Sequence, residues 1–190
     1  YPEKLLVLNF PEFIPPTIIG RNIESFKGFR QKYGDSIVKP LYGNGGSGIF
    51  KIAQNDPNLT SLVELFENIS REPIIMQKYI EAVEKGDKRV ILVNGEPIGA
   101  INRVPIKGEV RSNMHVGGVA EKANLTKRDL QICESVGKLM KKRGQVLVGL
   151  DIIGDFLTEI NLTSPTGVQE LEKFNNLNVA AKIWECLENY

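Results

Sequence analysis

Three oxygen-bearing side chains stand close together late in the chain. Asp151, Glu159 and Asn161 lie within Gly149-Leu150-Asp151-Ile152-Ile153-Gly154-Asp155-Phe156-Leu157-Thr158-Glu159-Ile160-Asn161. Two apolar runs flank Gly154-Asp155, so the segment reads as a β-hairpin. Glu159 and Asn161 are two positions apart and share one face of an extended strand. Asp151, on the paired strand, can join them across the hairpin. Such convergence on an otherwise apolar hairpin is costly without a cation. Mg²⁺ suits the set, since it takes hard oxygens and is bound by one or two carboxylates together with substrate phosphates. The competing reading is an exposed sheet face that happens to carry three polar residues. Asp155 belongs to the turn. His115 is the only histidine, so no zinc pattern exists, and it reads as a loop residue.

A second chemical signal is Gly43-Asn44-Gly45-Gly46-Ser47-Gly48, which fits G-x-G-x-x-G. In a dinucleotide fold that loop opens a helix. Here the alternating Ile49-Phe50-Lys51-Ile52 follows, which reads as a strand. Ile49 also stands where a Walker loop needs lysine. The loop therefore joins two strands, a flap that can lie over triphosphate oxygens. Glycine lets backbone N–H groups approach an anion, and Lys39 just before the loop adds a point charge. A flexible hairpin tip beside a solvated lysine fits the same residues. Lys4 is a weaker candidate of the same kind.

Arginines supply the third signal. Arg89 follows Asp87-Lys88 at the start of a strand, and Arg111 and Asn113 sit in a loop ending in Gly117-Gly118. A guanidinium fork matches carboxylate or phosphate, and a glycine-hinged loop could close over a reacting centre. An exposed loop with a solvated arginine is the plainer alternative. Ser164, Thr166 and Gly167 could hydrogen-bond a peptide, or could cap a turn around Pro165.

These residues need a scaffold. Periodicity predicts helices over 22–33 (Phe26, Phe29 and Tyr33 inward), 60–70 (Leu62, Val63, Phe66 and Ile69 inward), 126–143 (Leu130, Cys133, Val136 and Met140 inward) and from Val179 onward, with Phe26, Phe29, Phe66 and Trp184 as core. Strands are expected over 36–40, 49–53 and 73–79, and hairpins around Asn94-Gly95 and Gly154-Asp155. Residues 1–20 read as a short amphipathic opening and an extended Pro-rich segment, and 105–122 as a loop. The pattern is α+β, antiparallel hairpins with helices packed on them.

Composition narrows the class. With 190 residues, 42% hydrophobic and 25% charged, the chain can form one large or two small cores of a soluble globular protein. A net charge of +1 and the lack of an aromatic–basic platform give little weight to nucleic acid. No apolar run approaches the roughly 20 residues of a membrane helix. The opening has no signal-peptide pattern, and a start at Tyr1 instead of Met suggests a fragment. Cys133 and Cys186 read as buried free thiols, as in a reducing cytoplasm.

In order and spacing these pieces resemble bacterial glutathione synthetases, a family of ATP-grasp ligases. The resemblance rests on Ile37-Val38-Lys39-Pro40-Leu41 running into Gly43–Gly48, on Asp87-Lys88-Arg89-Val90, on Arg111-x-Asn113 before Gly117-Gly118, and on Gly149-Leu150-Asp151-Ile152-Ile153-Gly154 followed by Glu159-Ile160-Asn161-x-Thr163-Ser164-Pro165-Thr166. It covers essentially all 190 residues. It implies an ATP-grasp fold of two α+β subdomains with antiparallel sheets enclosing the nucleotide. Residues 1–20 would lead into the core, 21–80 would form the flap subdomain and 81–190 the metal subdomain, with the family's N-terminal domain absent.

The implied chemistry is ATP-dependent phosphorylation of the γ-glutamylcysteine carboxylate, then attack by glycine to give glutathione, ADP and phosphate. Under this resemblance Lys4 and Lys39 contact ATP, and Gly45, Gly46 and Ser47 cover its phosphates. Gln77, Lys78, Tyr79 and Ile80 hold adenine, largely through backbone groups, and Asp87 lies near the ribose. Arg89 and Arg111 stabilise the phosphorylated intermediate. Arg111, Asn113, Ser164 and Thr166 meet the peptide. Asp151, Glu159 and Asn161 hold Mg²⁺, with Mn²⁺ as a substitute. The partners are then these small molecules, with neither nucleic acid nor membrane, in a cytoplasmic homo-oligomer. A non-catalytic ATP-binding module and another ATP-grasp carboxylate–amine ligase are the alternatives.

Overall fold

The computed structural model describes residues 3–43, 45–106, 108, 112 and 117–189. They divide into two compact units, one of Pro15–Glu81 and one that joins Glu3–Ile14 to the chain from Ala82 onward.

The unit Pro15–Glu81 contains β1 (Thr17–Gly20), α1 (Ile23–Tyr33), β2 (Ser36–Pro40), β3 (Phe50–Ile52), α2 (Leu59–Ile69) and β4 (Ile74–Lys78). Its sheet has the order β1-β4-β2-β3, with each neighbouring pair antiparallel. Asn22 starts α1 by accepting a hydrogen bond from the Ser25 N–H, and Gly34 at φ 81° stops it. Phe26 and Phe29 of α1 and Leu59, Leu62, Val63 and Phe66 of α2 close on Val38, Ile52, Ile74 and Met76 of the sheet. Ile69, expected inside, is exposed at the last position of α2. The buried stripe starts instead at Leu59, one position before the predicted helix.

The other unit carries β5 (Asp87–Val93), β6 (Glu96–Val104), β7 (Val119–Ala123), α3 (Lys127–Lys142), β8 (Leu147–Ile153), β9 (Phe156–Asn161), α4 (Val168–Asn175) and α5 (Val179–Glu188). Its five-stranded antiparallel sheet runs β7-β6-β5-β8-β9. Alternation along β5 assigns its side chains to two faces. Val90 and Leu92 meet Ile132, Cys133, Val136 and Met140 of α3 together with Leu6, Val7, Phe10 and Phe13. Ile91 and Val93 meet Leu171 of α4 and Val179 of α5. The opening stretch 1–20 is therefore not one segment: a 3₁₀ helix at Glu3–Asn9 and the two phenylalanines after it complete the second unit's core, whereas β1 belongs to the first unit.

Other expectations shift in detail. Thr126 and Asp129 form a capping box at the start of α3. Its inner stripe includes Ile132 where Leu130 was expected, and Leu130 is exposed. Part of the predicted 105–122 loop is β7, an edge strand whose Val-Ala-Glu-Lys-Ala sequence carries little β propensity. Helix α4 was not anticipated. Trp184 is 65% exposed and is not core.

Two β-bulges shape the sheet. The β5–β6 turn uses Asn94 and Gly95 at φ 50° and 84°, the left-handed pair of a type I′ hairpin. Leu92 then faces Pro97 but Ile91 faces Gly99, which leaves Ile98 as an extra residue. Pro97 has no N–H for the ladder, which fits a bulge beside it. In the β8–β9 pair Ile152 faces Leu157 and Asp151 faces Glu159, so Thr158 is extra. The Thr158 hydroxyl donates to the Asp151 carbonyl at 3.1 Å across this bulge.

Candidate active site

One face of the five-stranded sheet gathers the charged residues at its end. Directly opposed residues of an antiparallel pair point the same way. Asp87 opposes Arg103, Arg89 opposes Asp151, Asp151 opposes Glu159, and Gly149 opposes Asn161. All of these lie on the face that α4 and α5 cover further along. Lys88 points to the other face and pairs with Asp129 of α3.

Asp87, Arg89, Arg103 and Asp151 are all buried. Arg89 grips Asp151 with two bonds, Nε to Oδ1 at 2.5 Å and Nη2 to Oδ2 at 3.1 Å, and donates from Nη1 to the Thr166 carbonyl at 3.0 Å. Arg103 donates from Nη2 to Asp87 Oδ2 at 2.5 Å and to Asp151 Oδ1 at 3.0 Å. Two guanidiniums thus balance two carboxylates, which offsets the cost of burying either charge alone. Burial would raise the Asp151 carboxyl, but Arg103 and Arg89 overcome it and hold that group well below the usual carboxylate range. Burial dominates at Asp87, with Asp151 adding to it against the pull of Arg103, and pushes its carboxyl up from 3.8 to about 6. The Arg103 guanidinium is raised: burial opposes its charge, and Asp151 and Asp87 outweigh that.

This geometry bears on three expectations. Arg89 is 5% exposed with three nitrogens engaged by the protein, so it orients Asp151 and does not stand open to a substrate. Asp87 is buried and its Oδ2 already accepts from Arg103 and Ser112, which ties it to the protein instead of presenting it to a ribose. The burial of Asp151 does not by itself require a metal, because the arginines already balance it. Among the described residues no group of three His, Cys, Asp or Glu side chains forms a ready-made cage.

The donor set still fits a hard divalent cation. Asp151 and Glu159 oppose each other, and the Asn161 side-chain nitrogen lies 3.5 Å from Asp151 Oδ2. Glu159 and Asn161 are only half-buried, so the set opens toward a ligand. Three oxygen donors with room for substrate oxygens match Mg²⁺ better than a nitrogen- or sulfur-seeking metal.

Glycines make space for Arg89. A Cβ at Gly149 would meet Pro165 Cβ at 2.6 Å and Arg89 Cδ at 3.3 Å. Gly167, at φ 103°, lies against Ile101 and Arg89 in the same way. Thr166 meets Arg89 through its backbone carbonyl, and its side chain is exposed. Ser164 is exposed in a left-handed conformation at φ 48°.

In the unit Pro15–Glu81 the glycine loop joins antiparallel β2 and β3, with Val38 opposite Phe50. Gly43, Gly45, Gly46 and Gly48 all take positive φ, a path closed to most side chains. Ser47 is exposed at its tip. Lys39 is 8% exposed, which removes the solvated-lysine reading, and among the described residues no hydrogen bond or ion pair holds its ammonium. Gln77 is buried and donates from Nε2 to Thr17 Oγ1 at 2.9 Å. The Lys78 and Tyr79 N–H groups bond to the Pro16 and Asp35 carbonyls. Ile80 follows, half-buried, and Lys51 Nζ lies 3.7 Å over the Tyr79 ring. Lys4 lies in the 3₁₀ helix of the other unit. Arg111, Asn113 and His115 lie outside the described residues.

Sequence reasoning missed Arg103, Ser112 and Gly149. The usable signal for Arg103 was a charged residue inside the apolar strand 96–104.

The sequence profile of the family described as prokaryotic glutathione synthetase, ATP-grasp domain, matches residues 3–176. The chain belongs to that family. A glutathione synthetase of Brucella melitensis biotype 1 is 52% identical over 187 residues, 98% of this chain and 60% of that protein. One of Mesorhizobium japonicum gives the same identity and coverage. The chain thus spans about 60% of the length of those curated relatives. The fold is ATP-grasp. The solved D-alanyl-alanine synthetase A of Vibrio cholerae O1 biovar eltor superposes with a TM-score of 0.71 at 14% identity, over 99% of this chain and 64% of that one. No helix among the described residues is long and apolar enough to cross a membrane.

Proposed function

We propose that this chain is the ATP-binding, catalytic part of a ligase that joins γ-glutamylcysteine and glycine, forming glutathione, ADP and phosphate. The observation that carries this reading is Asp151 facing Glu159 across the β8–β9 pair, with Asn161 beside them and two arginines behind. Asp151, Glu159 and Asn161 would hold Mg²⁺ (or Mn²⁺), which would neutralise phosphate oxygens during transfer. Arg89 and Arg103 orient Asp151 for that task.

Lys39, with Lys4 in support, and the backbone of Gly45, Gly46 and Ser47 would receive the ATP phosphates. The strand end from Gln77 to Ile80 would hold the base. Arg111 would stabilise the phosphorylated carboxylate, and Arg111, Asn113, Ser164 and Thr166 would bind the peptide. No side chain acts as a nucleophile in this scheme; positioning and charge stabilisation carry it. The full-length protein would be a cytoplasmic homo-oligomer.

The test is ADP and glutathione formation by the full-length protein given ATP, Mg²⁺, γ-glutamylcysteine and glycine. Equal amounts of the two products are expected, and Glu159→Gln should abolish turnover while leaving the fold intact. ADP release only with a different acceptor amine, or near-normal turnover of Glu159→Gln, would refute the corresponding assignment.

A further inference from the structure

Ser112 lies in the connection between β6 and β7, yet it is 3% exposed. Its hydroxyl donates to Asp87 Oδ2 at 2.9 Å. The same oxygen accepts from Arg103 Nη2 at 2.5 Å, and that nitrogen also reaches Asp151 Oδ1 at 3.0 Å. The other Asp87 oxygen, Oδ1, is buried and has no hydrogen-bond partner among the described residues. Among those residues the carboxylate is held through Oδ2, by one charged donor and one neutral donor.

We infer that Ser112 is a positioning residue: its hydroxyl fixes the rotation of the Asp87 carboxylate, and Asp87 in turn holds Arg103 against Asp151. A carboxylate held by a single arginine can swing about its Cβ–Cγ bond. Any rotation short of a half-turn moves the bonded oxygen off Arg103 Nη2 and lets that nitrogen shift from Asp151. A donor fixed on Oδ2 from a separate part of the chain removes that freedom. Ser112 thus acts on the metal-binding face two side chains away. Neutral donation also leaves the balance of two guanidiniums against two carboxylates unchanged.

The kinetic side of this inference rests on the ligase reading, but the structural side does not. The test compares Ser112→Ala, Ser112→Val and Ser112→Thr in the full-length protein. The first readout is exchange of the Arg103 Nη–H protons with water by ¹⁵N NMR, because Nη2 is the nitrogen that bridges Asp87 and Asp151. Ala and Val should speed exchange about tenfold, the worth of one ordinary hydrogen bond, and Thr should restore it. The second is steady-state kinetics, where Ala and Val should lower kcat about tenfold with KM for ATP within about twofold, and Thr should recover it. Because Val and Thr have nearly the same shape, a packing effect would move both alike. Unchanged Arg103 exchange in Ser112→Val, or Thr and Val behaving the same, overturns the inference. If the wild-type protein forms no ADP, the ligase reading fails, and the exchange measurement still decides the role of Ser112.

Discussion

The guanidinium of Arg89 meets the carboxylate of Asp151 edge-on, with Nε and Nη2 each bonded to a different oxygen. The two residues are direct neighbours across the β5–β8 pair, so the sheet ladder itself sets this fork. Lysine keeps the charge but offers a single point of attachment. Arg89→Lys should therefore cost about 1.5–3 kcal/mol of stability, the range for hydrogen bonds to charged groups. Turnover should fall more than tenfold, because Asp151 loses its fixed orientation. Urea unfolding and ADP release measure the two effects, and a variant that unfolds and turns over like wild type would show that the fork is not needed.

Gly149 gives that arginine its path. Its φ is not in the left-handed region, so only space forbids a side chain there. Gly149→Ala should cost about 1–3 kcal/mol through overpacking against Pro165 and Arg89. Gly20→Ala, with nothing within 4 Å of the added methyl, is the matched control and should be nearly neutral. Equal unfolding midpoints for the two alanine variants would remove the steric argument.

Asp87 and Asp151 should affect stability in opposite ways as pH changes. The Asp87 carboxyl is raised from 3.8 to about 6, chiefly by burial, so between those values the folded state binds more protons than the unfolded. Its contribution to stability therefore falls as pH rises through that window. Burial also opposes the Asp151 charge, but Arg103 and Arg89 outweigh it and lower that group. Its contribution is fully present above the ordinary carboxylate range and is lost only in strong acid. Urea unfolding across about pH 4 to pH 7 should show the Asp87 slope in the wild type and a flatter profile in Asp87→Asn. An identical slope in both would assign it to another group.

Lys39 separates binding from folding. A buried ammonium with no partner among the described residues is a cost to folding, and methionine has nearly the same length and no charge. Lys39→Met should leave stability unchanged or raise it by about 1 kcal/mol. ATP affinity, read by calorimetry, should fall at least about tenfold if the lysine meets phosphate. Loss of stability with unchanged ATP affinity would place Lys39 in a structural role.

The residues themselves state much of this. Helices α1 and α3 announce their caps in Asn22, Thr126 and Asp129, and Asn94-Gly95 and Gly154-Asp155 announce two hairpin turns. The oxygen donors, the arginine after Asp87 and the glycine loop between strands are also legible, because residue type and spacing are local properties. Strand β7 and helix α4 are not, since a short edge strand of weak propensity forms only when a partner strand is already there.

The residues suggest that Asp151, Glu159 and Asn161 converge, but strand counting alone does not put them on one face. Counting back from the two-residue turns pairs Asp151 with Thr158 and Asp87 with Asn102, which sends Glu159, Asn161 and Arg103 to the opposite face. The extra residues Ile98 and Thr158 each shift the ladder by one and bring all three back beside Asp151 and Asp87. Direction along a strand repeats every two residues, so one inserted residue inverts everything beyond it. The chain lists the groups that could do chemistry; the two bulges, which depend on how whole strands align, decide that Arg103, Asp151 and Glu159 share one surface.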